Sequence, residues 1–211
     1  MNNSNSQSST RKKMKWYTLS MAAALLVCPL KGAAQNSSPT PVQIVALDEC
    51  DPTTFNKPTD LPPGQAGVGA DFCKNVSLPP FVTKFNDLFD LAMQGKPDPN
   101  WDFEPDNVTA MKGAQIVVVN QGGEPHTFTE VKQFGGGFIG DLNGGEPTVN
   151  ECSGGFKNLD VARTRILQGS QLLVNGLSKG EHHFQCCIHP WMRVTVDVRD
   201  QDQDHDHGSG K

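Results

Sequence analysis

The sequence predicts an all-β sandwich of short strands, with one short helix in a loop-rich N-terminal insertion. Three observations predict it. From residue 105 onward, short runs rich in β-branched residues alternate with polar, Gly-rich turns. One stretch, "LPPFVTKFNDLFDLAMQG" (residues 78–95), carries helical spacing instead. No internal repeat is visible.

The chain of 211 residues has room for one sizeable domain or two small ones. Its start reads as an address. "RKKMK" (residues 11–15) is a basic patch, "WYTLSMAAALLVCPL" (16–30) is a short apolar run, and "GAAQ" (32–35) offers small residues for cleavage after Ala34. Residues 1–34 are therefore expected to be a signal peptide. The apolar run is shorter than the ~20 residues a spanning helix needs, so a membrane anchor is not favoured and no stable membrane insertion is expected. "LLVC" resembles a lipoprotein box, but Val27 is bulky where a small residue is wanted. The leader holds five basic residues and no acid, so its removal takes the formal net charge from −5 to −10. An acidic chain argues against nucleic acid. It would favour cationic partners by steering, or serve solubility alone.

Residues 35–41 are a flexible entry, and residues 42–47, "VQIVAL", read as a first strand. Residues 48–69, rich in Pro, Gly and Asp, read as loop. In residues 78–95, Phe81, Phe85, Leu88, Phe89 and Ala92 recur at helical spacing, and Gly95 sits where a helix would stop. Strands are expected at residues 107–112, 114–120, 126–131, 170–176, 181–186 and 193–198. The domain is placed at 41–199, with 48–104 as the insertion and 105–199 as the core. The tail, 200–211, alternates Asp and His; it is expected to be disordered and solvated, with loose metal binding as the alternative.

"EHHFQCCIHPWM" (residues 181–192) carries the chemistry. Side chains alternate faces along a strand. Phe184 marks the core face, so Cys186 points inward and Cys187 away. From Cys186 the spacing is C-x-x-H-x-x-M, reaching His189 and Met192. Thiolate, imidazole and thioether in one tight loop suit copper. Two His, one Cys and a weak axial Met make an electron-transfer copper site. A second histidine must come from elsewhere. His205 and His207 are in the tail, His182 lies roughly 13 Å along the strand at ~3.3 Å per residue, and His183 faces the wrong way. His126, after a Gly-Pro turn, remains.

"KGAQIVVVNQGGEPHTF" (112–128) followed by "LSKGEHHFQCCIHPWMRVTVDV" (177–198) resembles the cupredoxin, or blue copper, family, nearest its amicyanin and plastocyanin branch. The resemblance spans roughly residues 105–199. It implies a Greek-key cupredoxin-like β-sandwich holding one type 1 copper ion through His126, Cys186, His189 and Met192. Ile188 stands where amicyanin-like loops often have proline, so its N–H is expected to donate to the Cys186 sulfur, and an Ile188→Pro change to lower the reduction potential. Thr127 is expected to donate its own N–H. The family usually has Asn there, which leaves its side-chain brace of the loop in question. The ring edge of His189 faces solvent in the family, with Pro190 and Trp191 as an apolar partner-docking patch; burial of Trp191 under the loop is the alternative.

With Cys186 assigned, Cys50, Cys73, Cys152 and Cys187 remain once the leader and its Cys28 are gone. Export implies pairing. Cys50–Cys73 and Cys152–Cys187 are the expected disulfides, out of three possible pairings. The expected role is a monomeric, periplasmic or secreted carrier of single electrons between redox protein partners. A copper delivery or resistance protein is the alternative. An enzyme of the multicopper kind is not expected, since six histidines, two in the tail, do not supply further copper sites.

Overall fold

The computed structural model describes residues 38–62, 64–75 and 82–200. The expected leader, the first part of the helical stretch including Phe81, and the tail beyond Asp200 lie outside the described residues. Among the described residues no helix is long and apolar enough to cross a membrane.

Two four-stranded sheets face each other. One runs β2 (Asp102–Glu104), β1 (Val42–Leu47), β4 (Ile116–Asn120), β8 (Gln171–Val174); the other runs β3 (Asn107–Met111), β10 (Arg193–Arg199), β9 (Gly180–Gln185), β6 (Thr129–Val131). The chain crosses between the sheets from β2 to β3, from β3 to β4 and from β8 to β9, while β1–β2 and β9–β10 each pair within one sheet; β1 lies parallel to β4 as β3 does to β10. A third, two-stranded pair joins β5 (His126–Thr127) to β7 (Arg165–Ile166). Alternation explains the layering: Ile44 and Ala46, Ile116 and Val118, and Val194, Val196 and Val198 are the buried alternate residues of their strands. With Phe103, Phe128 and Phe184 they fill the space between the sheets.

The expected fold class holds, as does the short helix. That helix, α2 (Phe85–Met93), buries Leu88 and Ala92, and Gly95 at φ +64° follows its end. Two further short helices, α1 (Pro52–Phe55) and α3 (Leu159–Arg163), were not expected. Asp51 starts α1 by accepting from the Thr53 N–H, with Pro52 next in line; Asn158 starts α3 through Asp160 N–H. The strand expected at 126–131 is broken at Phe128, whose N–H turns away to Thr164 O. Strands β2 and β7 were missed, each being too short to show a period.

The insertion is part of the sandwich. Its last strand, β2, extends the first sheet. Phe55, Leu88 and Trp101 form a second small core around the Cys50–Cys73 disulfide. A third holds Val131 and Val161 around Cys152–Cys187. Both expected disulfides are thus present, and Cys186 is the one free cysteine among the described residues.

Cys152–Cys187 spans 35 residues, and constraining the unfolded chain over such a loop stabilises by about 3–4 kcal/mol. The Cys152→Ala/Cys187→Ala double variant is expected to lose about that much in urea unfolding of the metal-free protein. A second expectation concerns pH. Burial would lower His182, but its 2.7 Å bond to Glu130 and its contact with Ser178 O outweigh this and raise it above 6.5. The bond therefore stabilises fully below pH 6.5 and fades as pH rises through the higher folded value. Glu130 is half exposed, so Glu130→Gln is expected to remove under about 1 kcal/mol of that gain. Urea midpoints measured on both sides of the transition check it.

Candidate metal centre

Three side chains meet at one end of the sandwich. His126, Cys186 and His189 offer ligand atoms that all lie within 4.8 Å of one another. Cys186 Sγ is 3.9 Å from Nδ1 of His126 and 3.9 Å from Nδ1 of His189. All three residues are buried.

Local structure places each. Cys186 is the first residue past β9, and its N–H donates to Met192 O at 3.0 Å; the Met192 N–H donates to His189 O at 3.0 Å. These bonds close the loop that the C-x-x-H-x-x-M spacing suggested. Met192 is fully buried in the main core beside Cys186 and Ile188. His126 is delivered by the turn at 121–125. Asn120, at the end of β4, shapes that turn by accepting from Gly122 N–H and donating to Glu124 O and Ile166 O. The turn passes so close to the insertion that a Cβ on Gly122 would overlap Asp48, and one on Gly123 would meet Cys50 Sγ at 2.5 Å.

Asp48, in a stretch whose composition predicts a loop, is the hub of this end. Its carboxylate accepts from Cys50 N–H (3.3 Å), Gly123 N–H (2.9 Å) and Glu124 N–H (2.9 Å), and from Nε2 of His126 (2.8 Å). Burial would raise the carboxyl, but the His126 bond and charge and these backbone donors outweigh it, leaving it below its ordinary value. With Nε2 committed to Asp48, Nδ1 of His126 is left for the centre. A carboxylate behind a histidine fixes ring orientation and raises ligand basicity.

The thiol of Cys186 sits well below its ordinary value: burial opposes ionisation, but the bonds and charges of His126 and His189 prevail. Burial likewise would lower His126, yet Asp48 and Cys186 lift it to about 10. His189 goes the other way, held down by burial and by His126 against the pull of Cys186. Behind His189, Glu124 Oε2 lies 3.4 Å from Nε2. Burial, reinforced by Asp48, raises the Glu124 carboxyl well above its ordinary value. This contact is longer than the 2.8 Å bond between Asp48 and His126.

Several expectations need correction. The sulfur accepts from Thr127 N–H (3.4 Å), as expected, but its other backbone donor is His189 N–H (3.5 Å). Ile188 takes no such bond; its side chain packs into the core. An Ile188→Pro change therefore leaves both donors in place. Thr127 does brace the loop: its hydroxyl accepts from Cys187 N–H at 2.7 Å, replacing the missing Asn. The ring of His189 does not face solvent. It is 2% exposed, with Trp101 packed edge-on at 4.8 Å. Pro190 is buried. Trp191 is half-buried, its indole N–H bonded to Trp101 O at 3.1 Å. Of the expected docking patch, Pro190 is covered and Trp191 stays partly exposed, because the insertion carries Trp101 across His189. His182 and His183 stay outside the centre, on Glu130 and Glu181.

Asp48, Trp101 and Glu124 were missed. The available signal was chemical: an acid two residues before the ligand histidine, and a buried-type Trp just before the core begins. Asp48 had no local signal at all.

The donor set, two imidazoles and a thiol beside a buried thioether, fits copper by softness and geometry. No protein-family model matches the chain, and no curated protein matches it. Among solved structures it is similar to a copper(I) amicyanin mutant, at 14% identity over 46% of this chain and 73% of that one, TM-score 0.30. It is also similar to a purple cupredoxin from Nitrosopumilus maritimus, at 16% identity over 48% and 86%, TM-score 0.32. The cupredoxin-like character of the sandwich rests on this chain's own layout. Two four-stranded sheets carry a C-x-x-H-x-x-M loop between the last two strands.

Removing the Thr127 hydroxyl strands the buried Cys187 N–H, an unpaired donor worth about 1–3 kcal/mol. Thr127→Val is expected to destabilise the metal-free protein by about that amount in urea unfolding, and Thr127→Ser to restore most of it.

Proposed function

We propose that the chain is an exported cupredoxin-type carrier of single electrons, in which His126, Cys186 and His189, and more weakly Met192, would hold one type 1 copper ion. The observation that carries this reading is the buried convergence of two imidazole nitrogens and one Sγ within 4.8 Å of one another. A copper ion bound there would supply a one-electron couple.

The chain's own residues favour that use. Asp48 and Glu124 stand behind the two histidines, so neither ring needs to reorient when the charge of the centre changes. Thr127 and His189 N–H groups bond the sulfur and stabilise its negative charge. Trp101 excludes water from His189. Fixed ligands and a dry site keep reorganisation small. The burial of all three donors argues against copper delivery, which needs an open site for exchange. Export is supported by the leader-like residues 1–34 and by two disulfides, which persist in oxidising compartments. Redox protein partners would meet Trp191, half-buried with its ring 5.4 Å from that of His189.

The test is the visible and EPR spectrum after copper(II) loading. An intense thiolate-to-copper band with narrow hyperfine splitting is expected, lost in Cys186→Ser and kept in the Cys152→Ser/Cys187→Ser double variant. An ordinary copper spectrum indifferent to Cys186 would refute the reading. Asp48→Asn keeps shape but weakens the acceptor behind His126. It is expected to lower copper affinity by about 10–100-fold, as measured by competition with a chelator.

A further inference from the structure

Arg193 opens β10, one residue past Met192. Its guanidinium group meets three partners at once. Nε donates to the carbonyl of Pro190 at 2.7 Å. Nη2 donates to the carboxylate of Glu146. Cζ stands over the ring of Phe134, 5.3 Å from its centre, within the range of cation–π attraction. That ring packs in turn on His183 at 4.7 Å.

Pro190 directly follows His189, and a proline has no N–H. Its carbonyl is its one backbone hydrogen-bonding group, and Arg193 takes it. The loop has two backbone bonds of its own, Cys186 N–H to Met192 O and Met192 N–H to His189 O. The Arg193 contacts tie it further to the segment that carries Phe134 and Glu146. That segment is itself fixed: Gly136 N–H bonds Pro147 O, Phe138 N–H bonds Cys187 O, and Cys152 is linked to Cys187. The Arg193 side chain is 32% exposed, so its attraction to Glu146 is screened and weak. The bond to a buried residue's carbonyl counts for more, because a charged donor strengthens it. A planar fork offers Nε and Nη2 in fixed directions, so one side chain serves carbonyl and carboxylate together; an ammonium is a compact point charge that lacks this geometry. We infer that Arg193 is a positioning residue of the metal centre: it clamps the Pro190 carbonyl to the Phe134–Glu146 segment and so fixes His189 and Met192 relative to each other. Its effect on copper rests on the function proposed above, while the clamp itself does not.

The test measures amide hydrogen exchange of the full chain without metal, by NMR, and then the EPR spectra of the same variants loaded with copper(II). In Arg193→Met and in Arg193→Lys, the Cys186 and Met192 amides are expected to exchange about tenfold faster or more, since a charge-assisted bond leaves the loop. Glu146→Gln keeps the Pro190 bond, and under about threefold is expected. After loading, both Arg193 variants are expected to change the copper hyperfine splitting. Ile116→Val, a core change on the other sheet, is expected to leave the splitting as in the unaltered protein, which separates positioning from general destabilisation. Wild-type exchange in Arg193→Lys would show that charge alone suffices and overturn the clamp, as would a Glu146→Gln effect equal to that of Arg193→Lys. Unchanged splitting in the Arg193 variants, or the same change in Ile116→Val, would overturn the positioning role. An unaltered protein lacking the thiolate-to-copper band would sink the copper reading, and with it the positioning role, while the exchange rates still decide the clamp.

Discussion

The Asp48 carboxylate holds the functional end of this protein together. It sits where the first strand ends, yet it organises residues some eighty positions later. Three backbone N–H groups and the Nε2 of His126 converge on its two oxygens. A buried carboxylate is costly unless every lone pair finds a donor; here it does, and the arrangement is rigid for that reason. Parallel pairing of β1 with β4, in register at Ala46 and Asn120, carries Asp48 alongside the 121–125 turn. The two glycines of that turn permit the approach. The same contact fixes the histidine and seats the insertion.

The insertion changes what the centre can do. A sandwich ending at a short loop would leave the second histidine's ring at the surface. Here Trp101 packs across it, and Phe55 and Leu88 back Trp101. Water is excluded, the donors are dry, and Glu124 is enclosed beside His189. Such enclosure strengthens electrostatic interactions within the site. It also narrows access for an electron partner to the half-buried Trp191. The adjacent cysteine has a separate task on the opposite face: Cys187 is tied to Cys152 in its own small core, so neighbouring thiols serve chemistry and stability without competing.

Much of this was legible in the residue order. Alternation placed β1, β4 and β10 nearly to the residue, and the same alternation separated Cys186 from Cys187. Helical spacing located α2. The contributions that escaped are those made by residues brought in from a distance. Asp48 lay in a Pro-rich stretch with no period of its own, and only strand pairing gives it a role. Trp101 acts by crossing to another segment's ring. Ile188 was favoured as a sulfur donor by its position in the loop, but the loop's curvature presents the next N–H, that of His189, instead. Thr127 lacks the side chain of an Asn, yet its hydroxyl performs the brace in another way.

The most direct test of this account is the protonation of the His126 ring in the copper(I)-loaded protein, read by long-range proton–nitrogen NMR correlation. The account predicts Nε2 protonated and bonded to Asp48, with Nδ1 carrying the metal shift, and a weakened signature of the Nε2 bond in Asp48→Asn. A spectrum with Nδ1 protonated and Nε2 on the metal, or one unchanged by Asp48→Asn, would contradict it.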